Sequence, residues 1–169
     1  GYNTDGCGAL RALQEKVMVN GKKVLVLGAG GASRAIVYQL QKEGAGVTIS
    51  NRTLEKAQQL AEEFHTDFLP IEDAEKRGEE YDLIINTTSV GMGLQEGETP
   101  LSTVPKEKVV MDIVSHPPIT RFIKLAQQNN CTTITGEKML LYQAVQQYRL
   151  WMGKELNSEV LEHARQLLR

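Results

Sequence analysis

Several residue types and patterns that identify common protein classes are scarce in this chain of 169 residues. It has only two cysteines, Cys7 and Cys131, without a C-x-x-C pair, and three histidines without the spacing of metal ligands. We therefore expect reduced thiols, a cytoplasmic location (a plastid in a plant) and no bound metal. No run approaches the roughly 18 apolar residues of a membrane-spanning helix, and the net charge of −2 gives no basic footprint for nucleic acid.

One stretch, residues 22–53, has the pattern of a dinucleotide-binding unit. Val24–Leu27 is a short apolar run, typical of a strand buried on both faces of a parallel sheet. It leads into a glycine-rich turn, after which apolar residues recur at helical spacing. We expect Gly28 to make the tight turn. Gly30 and Gly31 would let a pyrophosphate approach the backbone where the helix begins, beside Ala32.

This glycine motif is a variant, because Ser33 occupies the position of the third glycine in the common G-x-G-x-x-G fingerprint. A glycine motif by itself is weak evidence. Here a strand precedes it, a helix follows it, and a second strand at 47–50 comes at the expected distance, so the context favours nucleotide binding. The alternative is a glycine turn that serves backbone geometry alone.

The residues after the second strand indicate which nucleotide binds. An NAD-binding unit usually has an acidic residue there, about 20 residues past the glycines, which binds the ribose hydroxyls. This chain has Asn51, Arg52 and Thr53 and no carboxylate. The Arg52 guanidinium can pair with a 2′-phosphate, and Lys56 can add a second positive charge. We therefore predict NADP; the alternative is that Arg52 and Lys56 are solvated residues at the start of a helix.

The rest of the chain alternates short apolar runs with helical patterns. Further strands are predicted at 67–69, 82–86, 109–114 and 131–135, and helices at 53–64, 120–128, 137–151 and 154–168. This alternation predicts an α/β fold with a doubly wound, Rossmann-like parallel sheet of about six strands in the order 3-2-1-4-5-6. Residues 1–169 would form one NADP-binding domain that includes the closing C-terminal helices.

Two features have alternative interpretations from the residues alone. Asp5 precedes a helical pattern and can be its N-cap. The polar segment 87–92 follows a buried strand at the edge where parallel sheets bind ligands, so its hydroxyl groups can line a cofactor. Otherwise this segment is an ordinary polar loop.

Five segments, in this order along the chain, resemble the shikimate dehydrogenase family. They are Gly1-Tyr2-Asn3-Thr4-Asp5-Gly6, Gly28-Ala29-Gly30-Gly31-Ala32-Ser33-Arg34, Asn51-Arg52-Thr53, Asn86-Thr87-Thr88-Ser89-Val90-Gly91-Met92 and Gly136-Glu137-Lys138-Met139-Leu140-Leu141-Tyr142-Gln143-Ala144. The resemblance covers the whole chain and is to the C-terminal, NADP-binding half of the enzyme. An N-terminal substrate domain is therefore expected upstream, either alone or fused to a dehydroquinate dehydratase.

The resemblance implies reversible hydride transfer between NADPH and 3-dehydroshikimate, which gives shikimate for aromatic amino acid synthesis. Asp5 matches an aspartate that forms the acid–base pair with a lysine of the substrate domain, and Gln143 matches a substrate-binding glutamine. Without that lysine, this chain alone is expected to be inactive. The positions that the resemblance places near the nicotinamide are Thr88, Ser89, Ile113, Gly136 and Met139.

One residue departs from the family pattern. Ser115 follows the fifth predicted strand, where the family usually has a tyrosine that binds the substrate. A serine hydroxyl has a much shorter reach, so that contact is lost or bridged by water. Quinate or a related cyclic hydroxy acid is therefore an alternative substrate. A non-catalytic NADP-binding module and a different NADP-dependent reductase are the alternatives to this enzyme class.

Overall fold

The computed structural model describes residues 1–168, in which six parallel strands form one sheet in the predicted order 3-2-1-4-5-6. The strands are β1 (Lys23–Leu27), β2 (Gly46–Asn51), β3 (Asp67–Pro70), β4 (Leu83–Asn86), β5 (Val109–Asp112) and β6 (Thr132–Ile134). The helices are α1 (Asp5–Gln14), α2 (Gly31–Lys42), α3 (Leu54–Phe64), α4 (Ile71–Lys76), α5 (Arg121–Gln128), α6 (Gly136–Met152) and α7 (Ser158–Leu167). The predicted doubly wound α/β fold is confirmed.

The sheet separates two apolar layers. Val24 and Val26 of β1 pack in one layer, together with residues of α1, α2, α3 and α6. Leu25 and Leu27 pack in the other layer, together with residues of α4 and α5. Successive side chains of a strand point to opposite faces, so a strand covered on both faces needs an apolar residue at every position. This two-sided burial explains why the run 24–27 shows no polar alternation.

Helix α1 lies between α2 and α6, and two glycines permit the close approach. A Cβ at Gly6 would overlap the carbonyl oxygen of Ala35 in α2. A Cβ at Gly8 would lie 2.6 Å from Cγ of Gln143 and 2.9 Å from the carbonyl oxygen of Met139 in α6. The start of α1 is therefore held against the first two turns of both helices.

A polar cluster joins α1, α6 and α7. The hydroxyl of Tyr142 donates a hydrogen bond to Glu15, and Nε of Arg165 donates to that hydroxyl at 2.9 Å. Arg165 and Lys138 also form ion pairs with the Glu15 carboxylate, at 3.2 Å and 3.8 Å. Burial, assisted by the hydrogen bond to Glu15, raises the pKa of Tyr142, so its hydroxyl keeps the proton that it donates. The cluster fixes α7 to the rest of the domain.

Two predicted boundaries are wrong by a few residues. The strand predicted at 109–114 ends at Asp112, because the Asp112 carboxylate accepts the N–H of Val114 and turns the chain. The helix predicted at 154–168 begins at Ser158. Gly153 ends α6 in the left-handed conformation, and the side chain of Asn157 caps α7.

Candidate cofactor and substrate site

The carboxyl ends of three neighbouring strands meet at one edge of the sheet. Leu27 at the end of β1 is paired with Asn86 at the end of β4, and Asn86 is paired with Asp112 at the end of β5. The glycine turn, the segment 87–92 and Ile113 follow directly after these three ends. Doubly wound sheets bind ligands at this edge, so the structure brings these predicted cofactor residues into one region.

Gly28 makes the tight turn that the sequence predicts. Its φ of 114° lies in a region that favours glycine, and an added Cβ would lie 2.5 Å from Oγ1 of Thr87. Its N–H donates to the carbonyl oxygen of Ser50 at 2.7 Å, which ties the turn to the end of β2. Backbone geometry alone therefore requires a glycine at this position.

Gly30 and Gly31 have a different explanation. An added Cβ at either position would meet no atom of the described residues within 4 Å, and the φ of Gly30, −96°, is accessible to other residues. Side-chain packing therefore does not require these glycines, whereas close approach of a ligand would. The N–H groups of Gly31, Ala32 and Ser33 have no partner within α2, because they belong to its first turn. Together with the positive end of the helix dipole they fit a diphosphate.

Ser33 occupies the position of the third glycine in the motif, and its side chain takes part in a chain of hydrogen bonds beneath the turn. Its side chain is fully buried, and its Oγ accepts the N–H of Gly30 at 3.1 Å. Oγ also lies 2.6 Å from Oγ1 of Thr87, which donates to the carbonyl oxygen of Leu27 at 2.7 Å. With those two donors assigned, the Ser33 hydroxyl must donate to Thr87. Ser33 is thus a support beneath the turn through its side chain, while only its N–H faces the expected phosphates.

Two cations without carboxylate partners follow β2: Arg52 directly after the strand and Lys56 in the first turn of α3. Arg52 and Lys56 are exposed, and within residues 1–168 neither forms an ion pair. Arg34, in contrast, is paired with Glu63. Nδ2 of Asn51 donates to the carbonyl oxygen of Thr53 at 2.9 Å and holds the turn. Thr53 takes the N-cap position of α3, although its side chain makes no capping hydrogen bond. The geometry leaves both cations available to an anion.

Thr88 and Ser89 differ in what they can offer to a ligand. The hydroxyl of Thr88 donates to Oδ1 of Asn86 at 2.7 Å, so it is used to shape the loop. Ser89 is exposed, and its hydroxyl donates to Oε1 of Gln95 at 3.2 Å. Of the two, Ser89 is therefore the hydroxyl that a ligand at this edge can reach by displacing a surface partner.

Ile113 follows the end of β5, and Gly136 and Met139 lie in the first turn of α6. A Cβ at Gly136 would overlap the backbone carbonyl groups of Ile113 and Val114. This glycine is therefore required by the close approach of two backbone segments. Ile113 is partly exposed, whereas Met139 is buried in the core. Ser115 is partly exposed two residues after Ile113.

Asp5 lies at the start of α1, and the interpretation of this residue as the N-cap is wrong. Asp5 is the first residue of α1, Thr4 takes the N-cap position, and the N–H of Asp5 donates to Oδ1 of Asn3 at 2.8 Å. The carboxylate instead accepts a hydrogen bond from Nε2 of Gln143 in α6 at 2.5 Å. The structure therefore brings together the two residues that the resemblance assigns to the substrate.

Three buried polar residues were missed from the sequence: Asn86 and Asp112 at the ends of β4 and β5, and Thr120 at the N-cap of α5. All three are buried, and Asn86 and Thr120 both donate hydrogen bonds to the Asp112 carboxylate. Burial raises the pKa of the Asp112 carboxyl, although three hydrogen bonds to it act in the opposite direction. A carboxylate within an otherwise apolar strand was the signal that could have identified this network, since buried carboxylates are rare unless they are paired.

Within residues 1–168, no group of three or more His, Cys, Asp and Glu side chains is arranged to hold a metal ion. None of the helices in this range combines the length and apolarity that crossing a membrane requires.

Comparison with known proteins identifies the family. The sequence matches shikimate / quinate 5-dehydrogenase over residues 11–136 and the C-terminal domain of shikimate 5′-dehydrogenase over residues 136–164. The NADP(+) shikimate dehydrogenase of Pyrococcus furiosus is 43% identical over 161 residues, which cover 95% of this chain and 59% of that protein.

Two solved structures extend this comparison. Shikimate 5-dehydrogenase from Thermus thermophilus, in complex with NADP(H) and shikimate, is 36% identical with a TM-score of 0.86, and the match covers 100% of this chain and 64% of that one. Quinate dehydrogenase from Corynebacterium glutamicum, in complex with NAD, is 26% identical with a TM-score of 0.86, over 97% of this chain and 62% of that one.

This chain spans less than two-thirds of the length of these three relatives. The match over residues 11–136 nevertheless contains the whole parallel sheet and the glycine turn. The chain therefore belongs to the shikimate / quinate 5-dehydrogenase family.

Proposed function

We propose that this chain is the NADP-binding part of a shikimate dehydrogenase, which interconverts 3-dehydroshikimate and shikimate in aromatic amino acid precursor synthesis. The observation that carries the proposal is the open cradle at Gly30 and Gly31, next to a strand end that has Arg52 and no carboxylate. The similar enzyme from Thermus thermophilus was solved with NADP(H) and shikimate. We place the reaction in the cytoplasm, since the free thiols of Cys7 and Cys131 suit a reducing compartment.

The residues proposed to bind NADP divide between the two halves of the cofactor. At the adenosine half, Arg52 would pair with the 2′-phosphate, with Lys56, Asn51 and Thr53 beside it. The first turn of α2 would bind the diphosphate. The residues proposed for the nicotinamide half are Thr88, Ser89, Ile113, Gly136 and Met139.

When bound, NADPH supplies the hydride that reduces the carbonyl carbon of the substrate. The carbonyl oxygen must then gain a proton, which requires an acid close to the substrate. We assign Asp5 to this proton transfer, as one member of an acid–base pair. Its lysine partner is assigned by the family resemblance to a substrate domain outside residues 1–169. Gln143 donates to Asp5 and would orient its carboxylate while its own amide also contacts the substrate.

Quinate is a second candidate substrate, favoured by one residue. Ser115 stands where the resemblance expects a substrate-binding tyrosine, so the contact that this tyrosine would make with the substrate is missing. The quinate dehydrogenase of Corynebacterium glutamicum has the same fold. A protein that oxidises quinate faster than shikimate would support this alternative and would leave the NADP assignment unchanged.

The test of the proposal is calorimetric titration of this chain with NADP+ and with NAD+. We expect NADP+ to bind more tightly by about tenfold or more, which corresponds to about 1.4 kcal/mol. Arg52→Ala should remove most of that difference, because it removes the partner of the 2′-phosphate.

Arg77→Ala is the matched control. It removes the same charge from an exposed arginine that is paired with Glu80 just before the amino end of β4. Its preference for NADP+ should equal that of the unmodified chain. Equal losses of NADP+ and NAD+ affinity in Arg52→Ala would contradict the 2′-phosphate assignment, and absent binding of both nucleotides to the unmodified chain would contradict the proposed site.

A further inference from the structure

A buried junction connects the two chain segments that follow β4 and β5. Its centre is Asp112, which is fully buried and accepts three hydrogen bonds. Nδ2 of Asn86 donates to Oδ1 at 3.0 Å, the N–H of Val114 donates to Oδ1 at 3.1 Å, and the hydroxyl of Thr120 donates to Oδ2 at 2.6 Å. Three neutral donors thus converge on one carboxyl group at the ligand-binding edge of the sheet.

Asn86 extends the junction into the segment 87–92. Its Oδ1 accepts both the N–H and the hydroxyl of Thr88, at 3.0 Å and 2.7 Å. Because two donors of Thr88 face Oδ1, the amide group must point its Nδ2 towards Asp112. Nδ2 also donates to the carbonyl oxygen of Val90 at 3.3 Å. The amide orientation and the backbone position of Thr88 are therefore set together.

Thr120 closes the junction from the opposite side. Its hydroxyl oxygen accepts the N–H of Ile123 at 3.2 Å and so caps α5, while its proton goes to Asp112. A Cβ added at Gly91, whose φ is +97°, would lie 3.5 Å from the Cβ of Thr120. Thr120 is thus packed against the same segment that Asn86 holds by hydrogen bonds.

The backbone of Ile113 is held between the same groups. Its N–H donates to the carbonyl oxygen of Asn86 at 3.1 Å. The residues on either side of it in the chain, Asp112 and Val114, are joined by the hydrogen bond from the Val114 N–H. Through these hydrogen bonds, Asp112 helps to fix the positions of two backbone segments, at Thr88 and at Ile113, although it is itself buried and cannot contact a ligand.

We propose that Asp112 is a positioning residue for the nicotinamide half of the cofactor, acting through Asn86 and Thr120 on the backbone at Thr88 and Ile113. This inference rests on the proposed NADP site. Three strand spacings separate the end of β5 from the end of β2, where Arg52 lies, and at about 4.8 Å each they amount to about 14 Å. A change at Asp112 should therefore affect the nicotinamide half and spare the adenosine half.

The experiment compares two ligands on the variant Asp112→Asn. NADP+ carries both halves of the cofactor, whereas adenosine 2′,5′-bisphosphate carries the 2′-phosphate and no nicotinamide. The asparagine has the same shape, but its amino group cannot accept the bonds that one carboxylate oxygen accepts. We expect NADP+ affinity to fall by about tenfold, and bisphosphate affinity to stay within about twofold.

Asp82→Asn is the matched control. Asp82 also accepts a backbone hydrogen bond, from Lys23 N–H at 2.9 Å, but it lies at the amino end of the sheet. Its affinities for both ligands should not change. If Asp112→Asn does not fold, a second pair of variants tests the same junction. Thr120→Val should lower the affinity for NADP+ and spare that for the bisphosphate, and Thr120→Ser, which keeps the hydroxyl, should restore NADP+ affinity.

Three results would overturn the inference. One is an equal loss of both ligands in Asp112→Asn or Thr120→Val, which would indicate only a general structural role. Another is unchanged NADP+ affinity in these variants. The third is an unmodified chain that binds the bisphosphate as tightly as NADP+, since the nicotinamide half would then contribute nothing. Failure of the unmodified chain to bind either ligand would instead remove the proposed function on which the inference rests.

Discussion

Nε2 of Gln143 donates a hydrogen bond to Oδ1 of Asp5 at 2.5 Å, although the two residues are 138 positions apart in the sequence. The contact exists because α1 lies directly against α6 at Gly8. A second contact, from Nε2 of Gln147 to the hydroxyl of Thr4 at 3.3 Å, continues the same interface. The proposed proton-transfer group and the proposed substrate-binding amide are thus placed as a pair by the packing of two helices.

Asp5→Asn should separate the chemical role of Asp5 from its structural role. An asparagine keeps an oxygen that can accept the hydrogen bond from Gln143, but it cannot take or release a proton near neutral pH. General acid–base catalysis contributes about 10²–10⁴-fold, so we expect kcat to fall by about a hundredfold or more in the protein with its substrate domain. NADPH affinity, followed by the fluorescence of NADPH, should be unchanged.

Asp82→Asn, at the opposite end of the sheet, serves as the control for this charge change. A near-normal kcat in Asp5→Asn would leave Asp5 with only the structural task of joining α1 to α6. A parallel loss of NADPH affinity would show that the substitution disturbs the glycine turn as well.

Gly8→Ala should destabilise the fold even though alanine is the better helix former. The gain in helix propensity is about 1 kcal/mol, whereas overpacking a tight contact costs about 1–3 kcal/mol. The added Cβ would lie 2.6 Å from Cγ of Gln143 and 2.9 Å from the Met139 carbonyl oxygen, which belongs to the backbone and cannot rotate away. We therefore expect the free energy of unfolding in urea to fall, by up to about 2 kcal/mol.

Gly30→Ala gives the opposite pattern and is the matched control. Its Cβ would enter open space, so the free energy of unfolding should stay within about 0.5 kcal/mol. Its NADP+ affinity should fall, because the Cβ would occupy the space proposed for the diphosphate. An equally stable or more stable Gly8→Ala would mean that α1 and α6 can separate at no cost.

The sequence predicts the sheet well because the relevant information is local. The runs at 24–27 and 83–85 are apolar at every position, and the glycine turn lies directly between a strand and a helix. The strand order then follows from general rules of connection. Asp112 illustrates the limit: a carboxylate at the end of the apolar strand β5 indicates that it has buried partners, but nothing nearby in the sequence indicates that these partners are Asn86 and Thr120.

The crossing of α1 could not be predicted for the same reason. Gly6 and Gly8 are unusual within a helix, since glycine lowers helix propensity, but their partners Ala35 and Gln143 lie in two distant parts of the chain. Asp5 shows the consequence at the site. Asp5 is a residue type that is common at the N-cap, and it precedes a helical pattern, so its local sequence favours a capping role. Only the tertiary structure shows that its carboxylate accepts a hydrogen bond from Gln143 instead.

The hydrogen bonds between Ser33 and Thr87 should couple the glycine turn to the end of β4. Ser33→Ala and Thr87→Val each break the chain that runs from the Gly30 N–H to the Leu27 carbonyl oxygen. Either substitution already removes the hydrogen bond between the two hydroxyls, so the second substitution cannot remove it again. The double variant should therefore be less destabilised than the sum of the single variants, by about 1 kcal/mol in urea unfolding.

Thr132 supplies the control for this cycle. It is exposed at the start of β6, so Thr132→Val combined with Ser33→Ala should give additive changes in the free energy of unfolding. Additivity between Ser33→Ala and Thr87→Val themselves would show that the 2.6 Å contact between their oxygens contributes no energy to the fold.

The raised pKa of Asp112 should appear in the pH dependence of stability. Burial raises the pKa of this carboxyl above its ordinary value of 3.8. Between 3.8 and the raised value, the folded protein holds this proton more tightly than the unfolded chain does. The stability contributed by the proton is complete below pH 3.8 and is lost as the pH rises through the folded-state pKa.

Asp112→Asn removes this titration and leaves all other ionisable groups in place, so it provides the reference. The measurement is the free energy of unfolding of the unmodified chain minus that of the variant, at several pH values from about 4 upwards. We expect the difference to fall with rising pH and then to become constant. A difference that increases with pH would mean that the three hydrogen bonds from Asn86, Val114 and Thr120 outweigh burial and lower the pKa of Asp112. The ionised carboxylate would then stabilise the junction by itself.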